Sequence, residues 1–376
     1  MAPKRIAIIG AGPSGMLLAR AFKMAADKDP NVLNSFEIVC FERQSDWGGL
    51  WNFTWRTGLD ENGEPVHCSM YRNLWTIGPK ECVELADYSY NEHFGKRVPS
   101  FMPRAAMWDY LNGNMTASNI KHWFRFKHSV QLCWKFGSKS ITISYRTQPS
   151  GQSWPEGIDE RPTLEKLEGR NAYFKDGSVK EGIDAVILCT GYLHSFPFME
   201  SSLRLKTKNC ILVDGLYKGV VFEENPQLFY IGMQDLVYSF PMFDAQAYYV
   251  RDIILGRIVL PPLEKMRQNH SKWQVREAKF HENLDVATLI REKILFQSDY
   301  VKEIMAETDY PEFDTDAING TIFGWLEDRK SDIMGFRNLT YKSVISDTEG
   351  AKLKKKWIEQ RNDSLEEFLN ENSLEL

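Results

Sequence analysis

The feature that most constrains this chain is the glycine-rich stretch GAGPSG at residues 10–15, which closes the short apolar run RIAIIG at residues 5–10. An apolar run of this length is typical of a buried parallel strand. The stretch MLLARAFKMAA then has apolar residues at helical spacing, and FEIVCFE predicts a second strand that ends on Glu42. Strand, glycine turn, helix and a second strand with a terminal acid predict a Rossmann-type dinucleotide-binding unit.

Each glycine of this turn has a distinct predicted role. Gly10 permits the tight turn, Gly12 lets the backbone approach a pyrophosphate, and Gly15 allows close packing of the helix on the strand. The helix N-terminus offers unpaired N–H groups to phosphate. Glu42 is placed to accept hydrogen bonds from a ribose diol, which favours FAD or NAD over NADP.

A second glycine turn follows in SDWGGLWNFTWR at residues 45–56. Gly48 and Gly49 allow another close approach of the backbone, and such a loop suits the wrapping of a flavin ring. The alternative at this point is a tight turn that simply packs against tryptophan side chains.

Several function classes are disfavoured by what the sequence lacks. The net charge is −5 without a long basic run, so nucleic acid is not an expected partner. The seven histidines and six cysteines show no metal-ligand spacing, so no metal is predicted. No apolar run reaches membrane-spanning length, and the start MAPKRIAIIG is typical of a strand rather than a signal peptide. We therefore expect a cytoplasmic protein with no membrane partner.

The carboxyl-terminal third shows helical periods around residues 272–306 and 351–371, and the lysines at 352 and 354–356 are expected on one solvated helix face. The stretch MFDAQAYY predicts a helix N-terminus with Asp244 near its first turn.

Longer strings of the sequence identify a family. GAGPSG, DWGGLWNFTWRTGLDENGEPVH, SMYRNLWTIGPKE, WPEGIDERP, DAVILCTGY, LYKGVVFEENPQLFYIGMQD and MFDAQAYYVRDIILGR occur in family order over nearly the whole chain. The chain resembles the flavin-containing monooxygenases, and it is most similar to their soluble trimethylamine monooxygenase-like branch.

The resemblance implies a reaction. NADPH reduces FAD, dioxygen adds at flavin C4a to give a hydroperoxide, and one oxygen atom passes to a soft nucleophile such as a small tertiary amine (trimethylamine, for example) or a sulfide. It also implies a possible homodimer. The implied FAD contacts are Gly10, Gly12, Ser14, Gly15, Glu42, Gln44, Leu50, Trp51, His67 and Gln246, and the implied NADP contacts are Trp75, Arg146 and Thr147.

The chain departs from the family where the NADPH-binding unit should begin. Only Gly10 and Gly12 are spaced as GxG, and the match jumps from FRFKHSV at 124–130 to QLCWKFGSKSITISYRT at 131–147. The strand and loop for the NADPH pyrophosphate are absent from this match, while Arg146 and Thr147, which the resemblance places at the adenosine 2′-phosphate, remain. Loss of part of a βαβ unit should damage the sheet of this domain, because neighbouring strands lose ladder partners.

A second departure is Ile77, which stands where the family usually has an asparagine near the reacting oxygen. Isoleucine can neither donate nor accept a hydrogen bond, and loss of one oriented polar contact commonly lowers the rate by about 100-fold or more. The catalytic position is therefore expected to be impaired, unless Asn73 or a backbone group substitutes.

The expected fold is α/β, a Rossmann-like FAD-binding domain with a nested, truncated NADPH-binding Rossmann domain and a helical C-terminal region. The expected segments are residues 1–126 and 171–260 for FAD, 127–170 for the NADPH remnant and 261–376 for the helices. Three functions are weighed: an FAD- and NADPH-dependent monooxygenase, a non-catalytic FAD-binding isoform that NADPH does not reduce, and an NAD-dependent dehydrogenase, which the Trp-Gly-Gly loop and the returning Thr-Gly strand disfavour.

Overall fold

The computed structural model of the protein describes residues 4–42, 46–55, 70, 72–125, 141–144, 158–182, 196, 199–205, 210–235, 237–282, 284–360 and 364–375. Within these ranges, no helix is both long and apolar enough to cross a bilayer.

The predicted amino-terminal unit is confirmed. Strand β1 (Lys4–Ile9), helix α1 (Pro13–Lys28), the short helix α2 (Asn31–Ser35) and strand β2 (Phe36–Phe41) follow in that order. β1 pairs with β2 in parallel, with Ile6 opposite Ile38 and Ile8 opposite Cys40. β3 (Phe124–Arg125) adds to β2 in parallel, which gives the strand order β1-β2-β3. The connection through α1 makes this a βαβ unit, as a parallel pair requires.

The stretch between β2 and β3 carries two further helices, α3 (Tyr90–Phe94) and α4 (Arg104–Ala117). α3 begins with a capping box, in which Ser89 and Glu92 satisfy each other's backbone N–H groups. Pro103 directly precedes α4, where its lack of an N–H group costs nothing.

Two small sheets begin within the region predicted to hold the NADPH remnant. β4 (Ile141–Ser144) pairs with β5 (Ile158–Arg161) in parallel. β6 (Leu164–Glu168), β7 (Asn171–Phe174) and β8 (Val179–Lys180) form an antiparallel meander. The β6–β7 hairpin crosses the predicted boundary between residues 170 and 171, and the division into domains stays a prediction.

The rest of the described chain is mainly helical. After the hairpin of β9 (Leu216–Tyr217) and β10 (Val221–Phe222) come α5 (Phe240–Ile254), α6 (Leu263–Ala278), α7 (Val286–Met305), α8 (Thr315–Ser331) and α9 (Leu365–Asn372). One hydrophobic core joins both ends of the sequence, since Ile8 and Phe368 belong to the same buried cluster. The carboxyl-terminal helices therefore pack on the core of the amino-terminal unit.

Two predicted helical periods were wrong in detail, and one helix was not predicted. The period over 272–306 is interrupted, because α6 ends at Ala278 and Asp285 caps a new helix by accepting bonds from two backbone N–H groups. Among the described residues of 351–371 there are a 3-10 turn at Trp357–Glu359 and helix α9, and the lysines at 352 and 354–356 lie outside both. Helix α8 was not predicted at all.

Candidate functional site

The first glycine turn has the geometry expected from its sequence. The Gly10 N–H donates to the Phe41 carbonyl oxygen at 2.7 Å, and Gly10 has φ +99°, which favours glycine. A Cβ atom on Gly15 would lie 1.9 Å from the Gly10 carbonyl oxygen, so only glycine allows α1 to pack this closely. At Gly12 there is room for a Cβ atom, which would make an ordinary van der Waals contact with Gly49 Cα at 3.8 Å.

The second glycine turn is held against the first. The Gly48 N–H donates to the Ala11 carbonyl oxygen at 2.7 Å, and a Cβ on Gly49 would lie 2.8 Å from Gly12 Cα. A Cβ on Gly48 would lie 2.3 Å from the ring of Trp108 in α4. The interpretation as a tight turn that packs against a tryptophan is therefore confirmed, and the turn also brings a second stretch of backbone beside Gly12. Its role in wrapping a flavin ring stays a prediction.

The side chain of Glu42, at the end of β2, reaches the first glycine turn. Glu42 Oε2 accepts a hydrogen bond from the Ala11 N–H at 2.5 Å. A third turn approaches from the carboxyl-terminal half, because a Cβ on Gly232 would lie 2.6 Å from Ser14 Oγ. Glu42, Ser14 and three glycine turns thus converge at the N-terminus of α1.

Gln246 supports this third turn from inside the core. Its side chain is fully buried, its amide oxygen accepts from the Gly232 N–H at 2.8 Å, and its amide nitrogen donates to Gln234 Oε1 at 3.0 Å and to the Tyr300 hydroxyl at 2.7 Å. The amide is therefore committed to protein groups that fix the turn. A direct contact between Gln246 and FAD stays a prediction.

The predicted aromatic and apolar contacts lie at different depths. Leu50 is 36 % exposed, and Trp51 packs edge-on against Phe240 at the start of α5, with ring centroids 6.0 Å apart. Trp75, which is predicted to contact NADP, is 5 % exposed and packs edge-on against Phe368. Ile77 is 55 % exposed, two residues further along the same loop. Gln44, His67, Arg146 and Thr147 lie outside the described residues.

A buried charge network behind α1 was missed by the sequence analysis. Asp244 lies in the second turn of α5 rather than the first, and it is almost completely buried. Its Oδ1 lies 3.8 Å from Arg20 Nη1, and its Oδ2 accepts from the Tyr310 hydroxyl at 3.1 Å. Burial raises the pKa of Asp244 to about 7, although the charge of Arg20 opposes this shift. No signal in the sequence marks this pairing, because its members are far apart along the chain.

A half-buried arginine at the start of α4 was also missed. The Arg104 N–H donates to the Leu74 carbonyl oxygen at 2.7 Å, and its Nη1 donates to the Trp51 carbonyl oxygen at 2.8 Å. As for metals, the part of the chain that the structure describes contains no group of three or more His, Cys, Asp or Glu side chains arranged to hold an ion.

The residues present fit a bound dinucleotide. The backbone at Gly12 lies at the N-terminus of a sixteen-residue helix, and it forms a cradle that any side chain at this position would partly fill. The Glu42 carboxylate beside this cradle suits a ribose with free hydroxyl groups. Fold and site together define a dinucleotide-binding protein of the Rossmann type.

Comparison with known proteins gives the family. The model of the family described as flavin-binding monooxygenase-like matches residues 3–147 and 156–315, so the chain belongs to this family. Family membership makes it a flavin-dependent oxidoreductase whose cofactors are FAD and NADPH, and it implies a small-molecule substrate and dioxygen.

Relatives and solved structures of similar architecture agree with this assignment. The chain is 42 % identical to the trimethylamine monooxygenase of Roseovarius nubinhibens over 97 % of this chain and 99 % of that protein. It is 40 % identical to the trimethylamine monooxygenase of Methylocella silvestris over 97 % and 98 % of the two chains. The crystal structure of Tmm from Pelagibacter sp. strain HTCC7211 superposes with a TM-score of 0.90 at 35 % identity and covers 97 % of this chain and 100 % of that one.

The alignment to the Roseovarius protein also shows that this chain is internally shorter. It spans 453 aligned positions, whereas this chain has 376 residues, a difference of 77. At least 77 positions of the relative therefore have no counterpart here.

Proposed function

We propose that this chain binds FAD at the convergence of the three glycine turns and belongs by descent to enzymes that oxygenate a small tertiary amine. Trimethylamine is the first substrate to test, because it is named in the relatives that are about 40 % identical over nearly the full chain. The observation that carries the proposal is the glycine-lined cradle at Gly12, at the N-terminus of α1, bordered by Glu42 and by the backbone of Gly49.

Each part of the site would have its own role. Gly12, Ser14 and the N-terminus of α1 would hold the pyrophosphate, and Glu42 would accept hydrogen bonds from the ribose. The turn at Leu50 and Trp51 would lie along the flavin and exclude water from it. When bound, FAD supplies electron transfer from NADPH and the activation of dioxygen. Ile77 would face the reacting end without offering a hydrogen bond.

We also propose a second candidate, in which the chain binds FAD but NADPH reduces it slowly or not at all. One observation favours it: at least 77 positions of the Roseovarius relative have no counterpart in this chain. If these positions include a strand of the nucleotide-binding sheet, the neighbouring strand loses its ladder partner, and this loss weakens the sheet that should hold the nucleotide. Arg146 and Thr147 would then have no pyrophosphate site beside them.

Two measurements on the purified protein separate these candidates. A visible flavin spectrum, present on purification or gained on addition of FAD, supports both; a colourless protein that takes up no FAD would refute both. Anaerobic titration with NADPH then distinguishes them. We expect slow or undetectable bleaching of the flavin, while full bleaching at stoichiometric NADPH within seconds would exclude the second candidate. Dithionite reduction is the control that the flavin itself is competent.

Ile77 provides a separate test of the oxygenation step. We expect Ile77→Asn, combined with insertion of a family-type NADPH segment, to raise the rate of trimethylamine oxygenation by about 100-fold over insertion alone. The readout is trimethylamine-dependent oxidation of NADPH together with the yield of the N-oxide. Equal rates in the two proteins would show that the amide is not needed.

A homodimer and a cytoplasmic location are also proposed, from the family resemblance and the sequence. Light scattering at micromolar concentration tests the first, and cell fractionation tests the second.

A further inference from the structure

The loop at residues 74–77 carries Ile77 and runs antiparallel to the segment that leads into α4. The Arg104 N–H donates to the Leu74 carbonyl oxygen at 2.7 Å, and the Thr76 N–H donates to the Met102 carbonyl oxygen at 3.0 Å. Trp75 forms an isolated bridge with Pro103. The position of this loop is therefore set by the residues at the start of α4.

The side chain of Arg104 connects this loop with the second glycine turn. Its Nη1 donates to the Trp51 carbonyl oxygen at 2.8 Å, and its guanidinium carbon lies 4.9 Å from the ring centroid of Phe53. Trp51 belongs to the turn of Gly48 and Gly49, which touches Gly12. One residue thus bonds to the Leu74 backbone through its N–H and to the Trp51 backbone through its guanidinium.

A second arginine, from the carboxyl-terminal half of the sequence, also bonds to this loop. Arg337 Nε donates to the Thr76 carbonyl oxygen at 3.1 Å. Its guanidinium carbon lies 4.6 Å from the ring centroid of Phe336 and 4.5 Å from that of Trp357. A planar guanidinium can stack on aromatic rings and donate in its own plane at the same time, whereas a lysine ammonium cannot.

We propose that Arg104 is a positioning residue that sets the distance between the glycine turn at residues 48–51 and the loop at residues 74–77, and that Arg337 fixes this loop from the carboxyl-terminal side. The inference extends the proposed function, because these two segments would border the pyrophosphate side and the reacting side of one bound FAD. Arg104 touches neither reacting atoms nor substrate in this assignment. It acts through the backbone carbonyl of Trp51.

Hydrogen exchange in the protein without FAD tests the positioning directly. The Trp51, Asn52 and Thr76 N–H groups are hydrogen-bonded, to Gly48, Gly49 and Met102 respectively. Arg104→Ala removes the guanidinium that bonds to the Trp51 carbonyl oxygen but keeps the backbone N–H that bonds to Leu74. We therefore expect it to speed exchange in peptides covering residues 48–55 and to leave residues 74–78 nearly unchanged. Arg337→Ala should speed it only in residues 74–78. The matched control is Arg204→Ala, which removes a bond to the Met199 carbonyl oxygen and should change neither.

FAD affinity provides the second readout, measured by quenching of flavin fluorescence. We expect about tenfold weaker binding for Arg104→Ala, on the scale of one lost hydrogen bond, a smaller loss for Arg104→Lys, and less than about twofold for Arg204→Ala. Exchange that rises over the whole chain, or that stays at wild-type levels in residues 48–55, would overturn the positioning role. If the wild type binds no FAD, the proposed function fails, while the exchange pattern still decides the role of Arg104.

Discussion

The amino-terminal dinucleotide unit and the strands of residues 158–182 differ most in how many of their side chains are buried. β1 and β2 share a six-residue parallel ladder, and α1 has nine buried residues between Met16 and Ala26. In residues 158–182, the buried side chains that the structure describes are those of Ala172 and Phe174, and four of the five residues of β6 are exposed. A segment with so little buried surface cannot form an independent core. The strands of residues 158–182 therefore depend on neighbouring segments for their burial.

The largest effect is expected where the first unit tolerates no side chain at all. Gly15→Val would drive a branched side chain into the Gly10 carbonyl oxygen, where even a Cβ atom would lie at 1.9 Å. We expect a loss of more than about 5 kcal/mol in the free energy of unfolding, with no FAD bound. Urea unfolding and flavin content of the purified protein are the measurements.

The control for this substitution is Gly320→Val in the exposed part of α8, where an added Cβ meets nothing within 4 Å. It should change stability by less than about 0.5 kcal/mol, because valine and glycine differ only slightly in helix propensity. Similar losses in both variants would show that the close packing at Gly15 does not matter.

Truncation of one buried phenylalanine in each region compares their packing directly. Phe22 in α1 is fully buried, and Phe174 in β7 is 4 % exposed, so burial alone predicts similar losses on truncation. We expect Phe22→Ala to lose about 3–5 kcal/mol and Phe174→Ala about 2 kcal/mol or less, because the exposed neighbours of Phe174 can relax into the cavity. Urea midpoints and slopes measure both. Equal losses would mean that residues 158–182 belong to the main core after all.

The smallest effect is a pH dependence that arises behind α1. The pKa of Asp244 is raised to about 7 in the folded protein, so its favourable contribution is full below the unfolded value near 3.8 and is lost as the pH rises through 7. Asp244→Asn should therefore gain stability relative to the wild type as the pH rises from 5 to 8, by at most about 1.4 kcal/mol per pH unit. Thermal unfolding at several pH values measures this.

Asp309→Asn is the matched control for the pH series. Burial raises the pKa of Asp309, but hydrogen bonds from Lys28 and Arg251 outweigh it and lower the pKa to about 2. The contribution of Asp309 to the free energy of unfolding is complete above pH 3.8 and is lost only as the pH falls towards 2. The difference in stability between Asp309→Asn and the wild type should therefore stay constant between pH 5 and 8. A slope in this control, or none for Asp244→Asn, would contradict the assignment of the titrating group.

Local patterns predicted the first unit well because each of its parts depends on nearby residues. The turn at Gly10, the close packing at Gly15 and the acid at Glu42 all follow from one stretch of strand, turn, helix and strand. Even the break between α6 and α7 had a local signal in Asp285, a preferred N-cap residue, which the helical period concealed.

The rest depended on contacts between distant residues. Lys80 is 2 % exposed and forms a salt bridge with the fully buried Glu81, although a Pro-Lys-Glu stretch is typical of an exposed surface. The hydrogen-bond partners of Gln246 and Arg104 lie in segments distant in the sequence, and no hydrophobic period links these segments. Whether a charged or amide side chain is buried depends on the residues that pack over it. These residues are distant in the sequence, so a local pattern does not reveal them.

The bond from Arg337 to Thr76 joins residues that are 261 positions apart. On a ribosome, which releases the chain from its amino end, the loop at residues 74–77 would emerge long before the arginine that anchors it. Until then, the loop would depend on its backbone bonds to Met102 and Arg104 at the start of α4. Contacts between residues so far apart in the sequence also predict slow folding. The entropy of closing a long loop is lost before the contact contributes any stabilisation.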